Sequence, residues 1–344
     1  MNTRIFGKRP SGDRLIRITK SSNYKEGQFQ NIEPTSLNPN KVSMFKLLRD
    51  FSKKSKTVVP GKEIPCLKVD LKNLPSDKPT IIWFGHSSYL ISSKGFKLLV
   101  DPVFSGNASP VNFFGKAFKG SDNYKVEDFP DIDILLITHD HYDHLDFKTI
   151  SKIGAKVKKI ITPLGVGAHL EHWGLTKDKL VELDWWDTLL IHSTIEITAT
   201  PARHFSGRGF IRAKTLWASF VLKIHGYKIF IGGDSGYDSQ FKRIGTIFKG
   251  FDLALLECGQ YGENWPFIHM LPEETVKAAK DLNASVLFPV HWAKFVLANH
   301  AWNEPIKRLA IAAKSTKQCF VSPMIGQAYT IGEEHQQVDW WDFE

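Results

Sequence analysis

Several apolar runs in this chain stop on histidine or aspartate, and the densest of these stops limits the choice of fold most. The run 132–137 is followed at once by Thr138-His139-Asp140-His141-Tyr142-Asp143-His144-Leu145-Asp146. Imidazole and carboxylate are the usual ligands of zinc and similar divalent ions. Three histidines and two aspartates within six residues arise by accident on the order of 10⁻³ times in a chain this long. The plain alternative is a solvated polar turn after a strand. It is set aside because three further apolar stretches end the same way, at His204, at Asp234 and at His291. Strand ends deliver side chains to one edge of a sheet, so ligands distant in sequence can meet at one point.

The remaining pattern is that of a layered α/β protein. Runs 80–84, 89–92 and 96–100 read as strands, the last two joined by a turn at Ser93-Lys94-Gly95 and closed by Asp101-Pro102. A long stretch, 104–130, follows without a clear period, and loops of that length in a compact domain are functional or mobile. Residues 147–153 read as a short helix, 157–162 as a strand and 167–173 as a helix that stops at Gly174. The second half repeats this order. It begins at Leu180-Val181-Glu182-Leu183; a strand is expected at 194–200, and a hairpin at 216–224 and 228–231 ends on Gly232-Gly233-Asp234. A strand at 253–256 and a helix at 272–282, with Pro272, Glu273 and Glu274 in its first turn, lead to a last strand at 286–290. The parallel between the halves suggests an internal duplication. Strands alternating with short helices favour α/β layers, here two sheets face to face with helices outside, a four-layer αββα sandwich.

The chain's 344 residues, 42% hydrophobic and 24% charged, are ample for one large domain. Its +9 charge lies wholly in residues 1–60, which hold 13 Lys and Arg against Asp13, Glu26, Glu33 and Asp50. That segment is read as a largely irregular basic extension with one short helical candidate around 42–51, wrapped on a core built by residues 61–344. Basic arms can meet nucleic acid or anionic lipid, but a solvated extension is the commoner case, and nucleic acid is not an expected partner. Cys66, Cys258 and Cys319 form neither a disulfide framework nor a zinc motif, which suits a reducing compartment. The N-terminus lacks a signal-peptide core, and no run approaches the ~18 apolar residues of a membrane span. The expectation is a cytoplasmic protein.

The candidate ligands divide into two groups. His139, His141 and His204 offer one ion three imidazoles, and Asp143, His144 and His291 offer a second ion a carboxylate and two imidazoles. Asp234 is the natural bridge. Zinc suits these donors best, with iron or manganese also matched. His86 and Asp140 are expected to support ligands from behind, His86 through the backbone, and Asp146 to support or cap. Trp185 and Trp186 are expected to pack. His169, His172, His192, His225, His300 and His335 carry no motif and are assigned to the surface.

From about Thr80 to Trp302 the chain resembles the metallo-β-lactamase superfamily of hydrolases, whose His-x-His-x-Asp-His signature the 139–144 run fits. Finer features resemble the branch of the N-acylphosphatidylethanolamine-hydrolysing phospholipase D and its bacterial relatives. They are Trp83-Phe84-Gly85-His86-Ser87-Ser88, Glu182-Leu183-Asp184-Trp185-Trp186, Gly233-Asp234-Ser235-Gly236-Tyr237, His269-Met270-Leu271-Pro272-Glu273-Glu274 and the stretch from His291 to Asn299. The resemblance implies a dinuclear hydrolase in which a metal-bridging hydroxide attacks a phosphodiester. Asp143 helps set the charge of that site, and His269 protonates the leaving group. It also implies a small-molecule or phospholipid substrate, with peripheral membrane contact and homo-oligomerisation as companion expectations. Two rival functions share the sequence: a lactonase or other ester hydrolase on a small metabolite, and a nuclease recruited by the basic segment.

Overall fold

The computed structural model describes residues 3–43, 49, 55–75, 77–111, 114–209 and 211–343; the helical candidate around 42–51 lies largely outside them. Fifteen strands occur among the described residues. A two-stranded ribbon, β1 (Tyr24–Lys25) and β2 (Gln28–Phe29), lies near the N-terminus. The first large sheet uses β3 (Thr80–Trp83), β4 (Tyr89–Ser93), β5 (Phe96–Val100), β6 (Ile132–Leu136), β7 (Val157–Pro163), β8 (Leu180–Leu183) and β15 (Ala328–Thr330), in the order β15-β3-β4-β5-β6-β7-β8. The second uses β9 (Thr188–His192), β10 (Ile195–Thr200), β11 (Ser219–Ile224), β12 (Tyr227–Ile231), β13 (Phe251–Glu257) and β14 (Ala284–Val290), in the order β14-β13-β12-β11-β10-β9.

The duplication expected from the sequence is visible in the pairing. Strands β3, β4 and β5 pair antiparallel, and β5, β6 and β7 then pair parallel. Strands β10, β11 and β12 pair antiparallel, and β12, β13 and β14 follow in parallel. In each half, one sheet edge therefore receives the ends of an antiparallel strand and of the parallel strands beside it.

Period-2 alternation sets the layers. In the first sheet Ile81, Trp83, Leu98, Val100, Ile134 and Leu136 join the core shared with the second sheet. Their neighbours Ile82, Phe84, Leu99, Leu135 and Ile137 face a separate core with Ile150, Ile153 and Leu170 of helices Phe147–Ile153 and Gly167–His172. With both faces buried, these strands read as continuous apolar runs, and each fully buried Leu, Ile or Phe contributes about 1.5–3 kcal/mol. Helices Gln240–Phe248, Pro272–Asp281 and Glu304–Thr316 cover the second sheet. The architecture is the αββα sandwich. The sequence patterns did not mark β8, β9, β15 or helices Gln240–Phe248 and Glu304–Thr316; β9 alternates exposed and half-buried residues and so lacks the apolar signature of its neighbours.

The N-terminal segment is less irregular than its composition suggests. Residues Gly12–Thr19 form a helix that begins directly after Ser11. Arg14 reaches Glu182 at 2.7 Å and Glu171 at 2.8 Å, and Asn31 exchanges hydrogen bonds with the backbone N–H and carbonyl of His204. The long 104–130 stretch is anchored in turn. Lys294, 1% exposed, donates to the carbonyls of Phe84 and Val103, and its own carbonyl accepts from Phe118 N. No helix among the described residues is long and apolar enough to cross a membrane.

Candidate metal centre

Strand β6 ends one residue before the Ile137-Thr138 turn into the histidine run, and Asp101, at the end of β5, fixes that turn. Asp101 Oδ1 accepts from Thr138 N at 2.8 Å, and Oδ2 accepts from Thr138 Oγ1 at 2.6 Å and from His144 Nδ1 at 2.8 Å. A ring that donates through Nδ1 presents Nε2 as a lone pair. His204 is set the same way, with Nδ1 donating to Ile268 O at 2.9 Å, while His139 Nδ1 lies 3.0 Å from Thr138 Oγ1.

These supports turn the rings inward. His141 Nδ1 lies 2.9 Å from His139 Nε2 and 3.2 Å from His204 Nε2, so three imidazole nitrogens meet at one point. Beside them, donor atoms of His86, Asp143, His144 and His291 lie within 4.8 Å of one another. Asp234 stands between the groups: its Oδ2 is 3.2 Å from His144 Nε2 and 3.8 Å from both His139 Nε2 and His204 Nε2. Gly233 brings this loop in at φ +60°, where a Cβ would meet the Thr138 side chain at 3.0 Å. The structure thus brings all seven sequence-expected ligands together, in overlapping groups: His139, His141 and His204; His86, Asp143, His144 and His291; His139, His144 and Asp234; and Asp234, Glu257, His269 and His291.

The donor chemistry fits divalent metal. His144 Nε2, His291 Nε2 and Asp234 Oδ1 are buried with no hydrogen-bond partner among the described residues, a costly state for polar atoms unless an ion meets them. His291 Nδ1 lies 3.1 Å from Asp234 Oδ1, but its hydrogen bond goes to Ser87 Oγ at 2.9 Å. Burial and the surrounding imidazoles hold His139, His204 and His291 well below the usual imidazole range, and burial lowers His141 to about 4. Neutral imidazole is the form that binds metal. His144 differs: burial opposes its charge, but Asp234, Asp143 and Asp101 carry it well above that range. Burial likewise opposes ionisation of Asp143, yet His144 and His86 hold it below the carboxylate range. Burial pushes Asp234 up to about 6.

Other expectations are adjusted. The His86 ring bonds the Asp143 carboxylate at 3.0 Å rather than backbone, on a residue whose φ is +53°. Asp140 touches no ligand side chain; its carboxylate accepts from Gly207 N, Thr215 Oγ1 and His169 Nε2. His169, assigned to the surface, is buried between Asp140 and the backbone N–H of Lys8. His225 and His300 also have partners, Ser93 Oγ and Gln260 N respectively. Asp146 caps helix Phe147–Ile153. Trp185 is buried, its indole donating to Trp217 O, and Trp186 packs beneath Arg243.

His269 lies at the edge of the cluster, with Nδ1 2.7 Å from Glu257 Oε2, and its ring stacks 5.3 Å from that of His291. Burial lowers the His269 imidazole and pushes the Glu257 carboxyl well up. His269 also lines a cavity of about 860 Å³ walled by Tyr237, Tyr261, Trp265, Phe267 and Arg203. The sequence patterns give Asp101, Ser87 and Glu257 no role in the site, although Asp101 closes a hairpin and Ser87 stands in the 83–88 motif. Asp101 and Glu257 each end an apolar strand, the same signal that marked the ligands.

The arrangement agrees with comparisons to known proteins. Residues 97–292 match the Beta-lactamase superfamily domain. The chain is 36% identical over 327 residues to an uncharacterised protein of Mycobacterium tuberculosis, covering 94% of this chain and 88% of that protein. It is 30% identical over 266 residues to N-acyl-phosphatidylethanolamine-hydrolyzing phospholipase D 1 of Caenorhabditis elegans, covering 72% of this chain and 74% of that one. A metallo hydrolase structure from Ignicoccus hospitalis shares the fold, with a TM-score of 0.56 and 19% identity over 75% of this chain and 100% of that one. The chain belongs to the metallo-β-lactamase superfamily of metal-dependent hydrolases, in its N-acylphosphatidylethanolamine phospholipase D-like branch.

Proposed function

We propose that the protein is a dinuclear metal-dependent phosphodiesterase of the N-acylphosphatidylethanolamine phospholipase D type. His139, His141 and His204 would hold one ion, Asp143, His144 and His291 the other, and Asp234 would serve both. The observation that carries this is Asp234 Oδ2 standing 3.2 Å from a nitrogen of one group and 3.8 Å from two of the other. Two divalent ions, zinc by donor chemistry with iron or manganese also suited, would make water nucleophilic at neutral pH and offset charge on the phosphoryl oxygens.

The chain's residues supply orientation and the proton. Asp101, Ser87 and Ile268 O hold the ligand rings. Glu257 fixes the plane of His269, and His269, kept neutral at rest by its burial, would take the proton shed by the attacking water and return it to the leaving oxygen at the cavity edge. The aromatic wall of that cavity suits the apolar part of a substrate. A cytoplasmic protein that meets its phospholipid at a membrane surface fits exposed Leu15 and Ile16 on the basic helix Gly12–Thr19. Arg14 and Arg17 of that helix hold Glu171, Glu182 and Asp187, which weighs against a nucleic-acid arm.

The test is metal analysis of the purified protein together with turnover of a phosphodiester panel against a lactone panel. Two transition-metal ions per chain and phosphodiester turnover that falls in Asp143→Asn are expected. Lactone turnover alone would replace this substrate class, and unchanged activity in metal-free protein would remove the mechanism.

A further inference from the structure

Arg208 is 6% exposed and has no carboxylate partner among the described residues. Its Nη1 donates to Asp140 O at 2.8 Å and Leu145 O at 2.7 Å. Those two carbonyls bracket His141, Asp143 and His144. Its Nη2 donates to Ile5 O at 2.8 Å. The guanidinium lies over the Tyr142 ring at 4.1 Å and near Trp173 at 5.1 Å. The Tyr142 hydroxyl returns a bond to Arg208 O at 2.6 Å, and Gly207 N donates to Asp140 Oδ1 at 2.6 Å. These four hydrogen bonds tie the 139–145 loop to Gly207 and Arg208, in the loop that begins at His204.

A buried cation with no carboxylate in direct contact, its charge met only at a distance by Asp140, Asp146 and Asp143, is expensive, and packed apolar groups would serve bare stability as well or better. A flat fork that reaches two carbonyls at once does something apolar packing cannot: it sets their spacing. The N-terminal segment closes this arrangement. Ile5 O takes the third guanidinium bond, Trp173 Nε1 donates to Arg4 O at 2.7 Å, and Lys8 N donates to His169 Nδ1 at 3.0 Å. His169 in turn holds Asp140.

We propose that Arg208 is a positioning residue for the metal centre, setting His204 against the His141, Asp143 and His144 loop, with residues 4–8 acting as the strap that seats its guanidinium. The proposal rests on the metal-centre reading but not on the phosphodiester substrate. It makes the start of the basic segment a structural part of the site.

The test measures Zn²⁺ affinity by chelator competition, the visible absorption of Co²⁺-loaded protein and the melting temperature of metal-free protein. Lysine is a compact point charge that cannot reproduce the fork. Arg208→Lys is therefore expected to lose about 10–100-fold in metal affinity, the usual effect of removing a ligand's support, with altered Co²⁺ bands and a near-wild-type metal-free melt. Tyr142→Phe removes one tie and is expected to lose a few-fold, roughly the lower end of that range. Arg9→Ala, a nearby exposed cation, is expected to change neither affinity nor spectrum. Wild-type affinity and bands in Arg208→Lys overturn the proposal, as does a lowered melt with wild-type bands. Should Arg208→Lys fail to fold, unchanged affinity and bands in Tyr142→Phe overturn it. Wild-type protein that binds neither Zn²⁺ nor Co²⁺ overturns the metal centre itself, whereas a variant result leaves that reading standing.

Discussion

In the His139, His141 and His204 group, the remote nitrogens of His139 and His204 rest on the Thr138 hydroxyl and the Ile268 carbonyl. In the Asp143, His144 and His291 group, His144 rests on the Asp101 carboxylate and Asp143 on the His86 ring, with only His291 braced by a hydroxyl. The first group offers neutral donors on neutral supports. The second carries a charged donor and a carboxylate behind its histidine, which raises ligand basicity. It should hold its ion more tightly, and the two positions should load in sequence as metal is added.

Replacing the shared residue should erase the difference. Asp234→Asn is expected to lower metal content below one ion per chain and to reduce turnover at least a thousandfold, on the order of the several kcal/mol a metal site supplies; retention of two ions would break the bridging assignment. His269→Gln should leave both positions filled and lower kcat by about a hundredfold, the low end for a general acid. A change in metal content there would make His269 a ligand instead, since its donor lies in a group with Asp234, Glu257 and His291.

Asp101→Asn sharpens the contrast directly. It removes the carboxylate behind His144 and should weaken the second position by roughly 10–100-fold while the first loads as before. Equal weakening of both would mean that the bond from Asp101 to Thr138 matters more than the one to His144. The smallest effect is expected from Ser87→Ala, which removes a neutral support from His291: a loss of a few-fold, below the roughly tenfold floor for stronger supports. A loss in Ser87→Ala as large as that in Asp101→Asn would show that the charge of the support is irrelevant.

Much of the candidate ligand set is legible in the sequence because four of its members stand within six residues after an apolar run. His204, Asp234 and His291 are legible because each follows a strand within a few residues. The supports are not, for two different reasons. Asp101 and Glu257 carry the same strand-end signal as the ligands, but a single buried carboxylate has no local companion to distinguish it from a turn residue. Arg208 and His169 give no signal at all: their partners are backbone carbonyls, a backbone N–H and a carboxylate 29 to 203 residues away, and backbone groups have no sequence signature.

The sequence by itself determined which side chains could bind metal, the layered α/β order of the chain and the repeat of its two halves, since these follow from residue type and from period-2 alternation within single strands. Tertiary structure alone decided which nitrogen of each ring faces inward, that Asp234 lies between the groups, and that the basic N-terminal segment reaches round to the loop of ligands. Those properties depend on hydrogen bonds between segments far apart in the chain, and their geometry exists only once both sheets have packed.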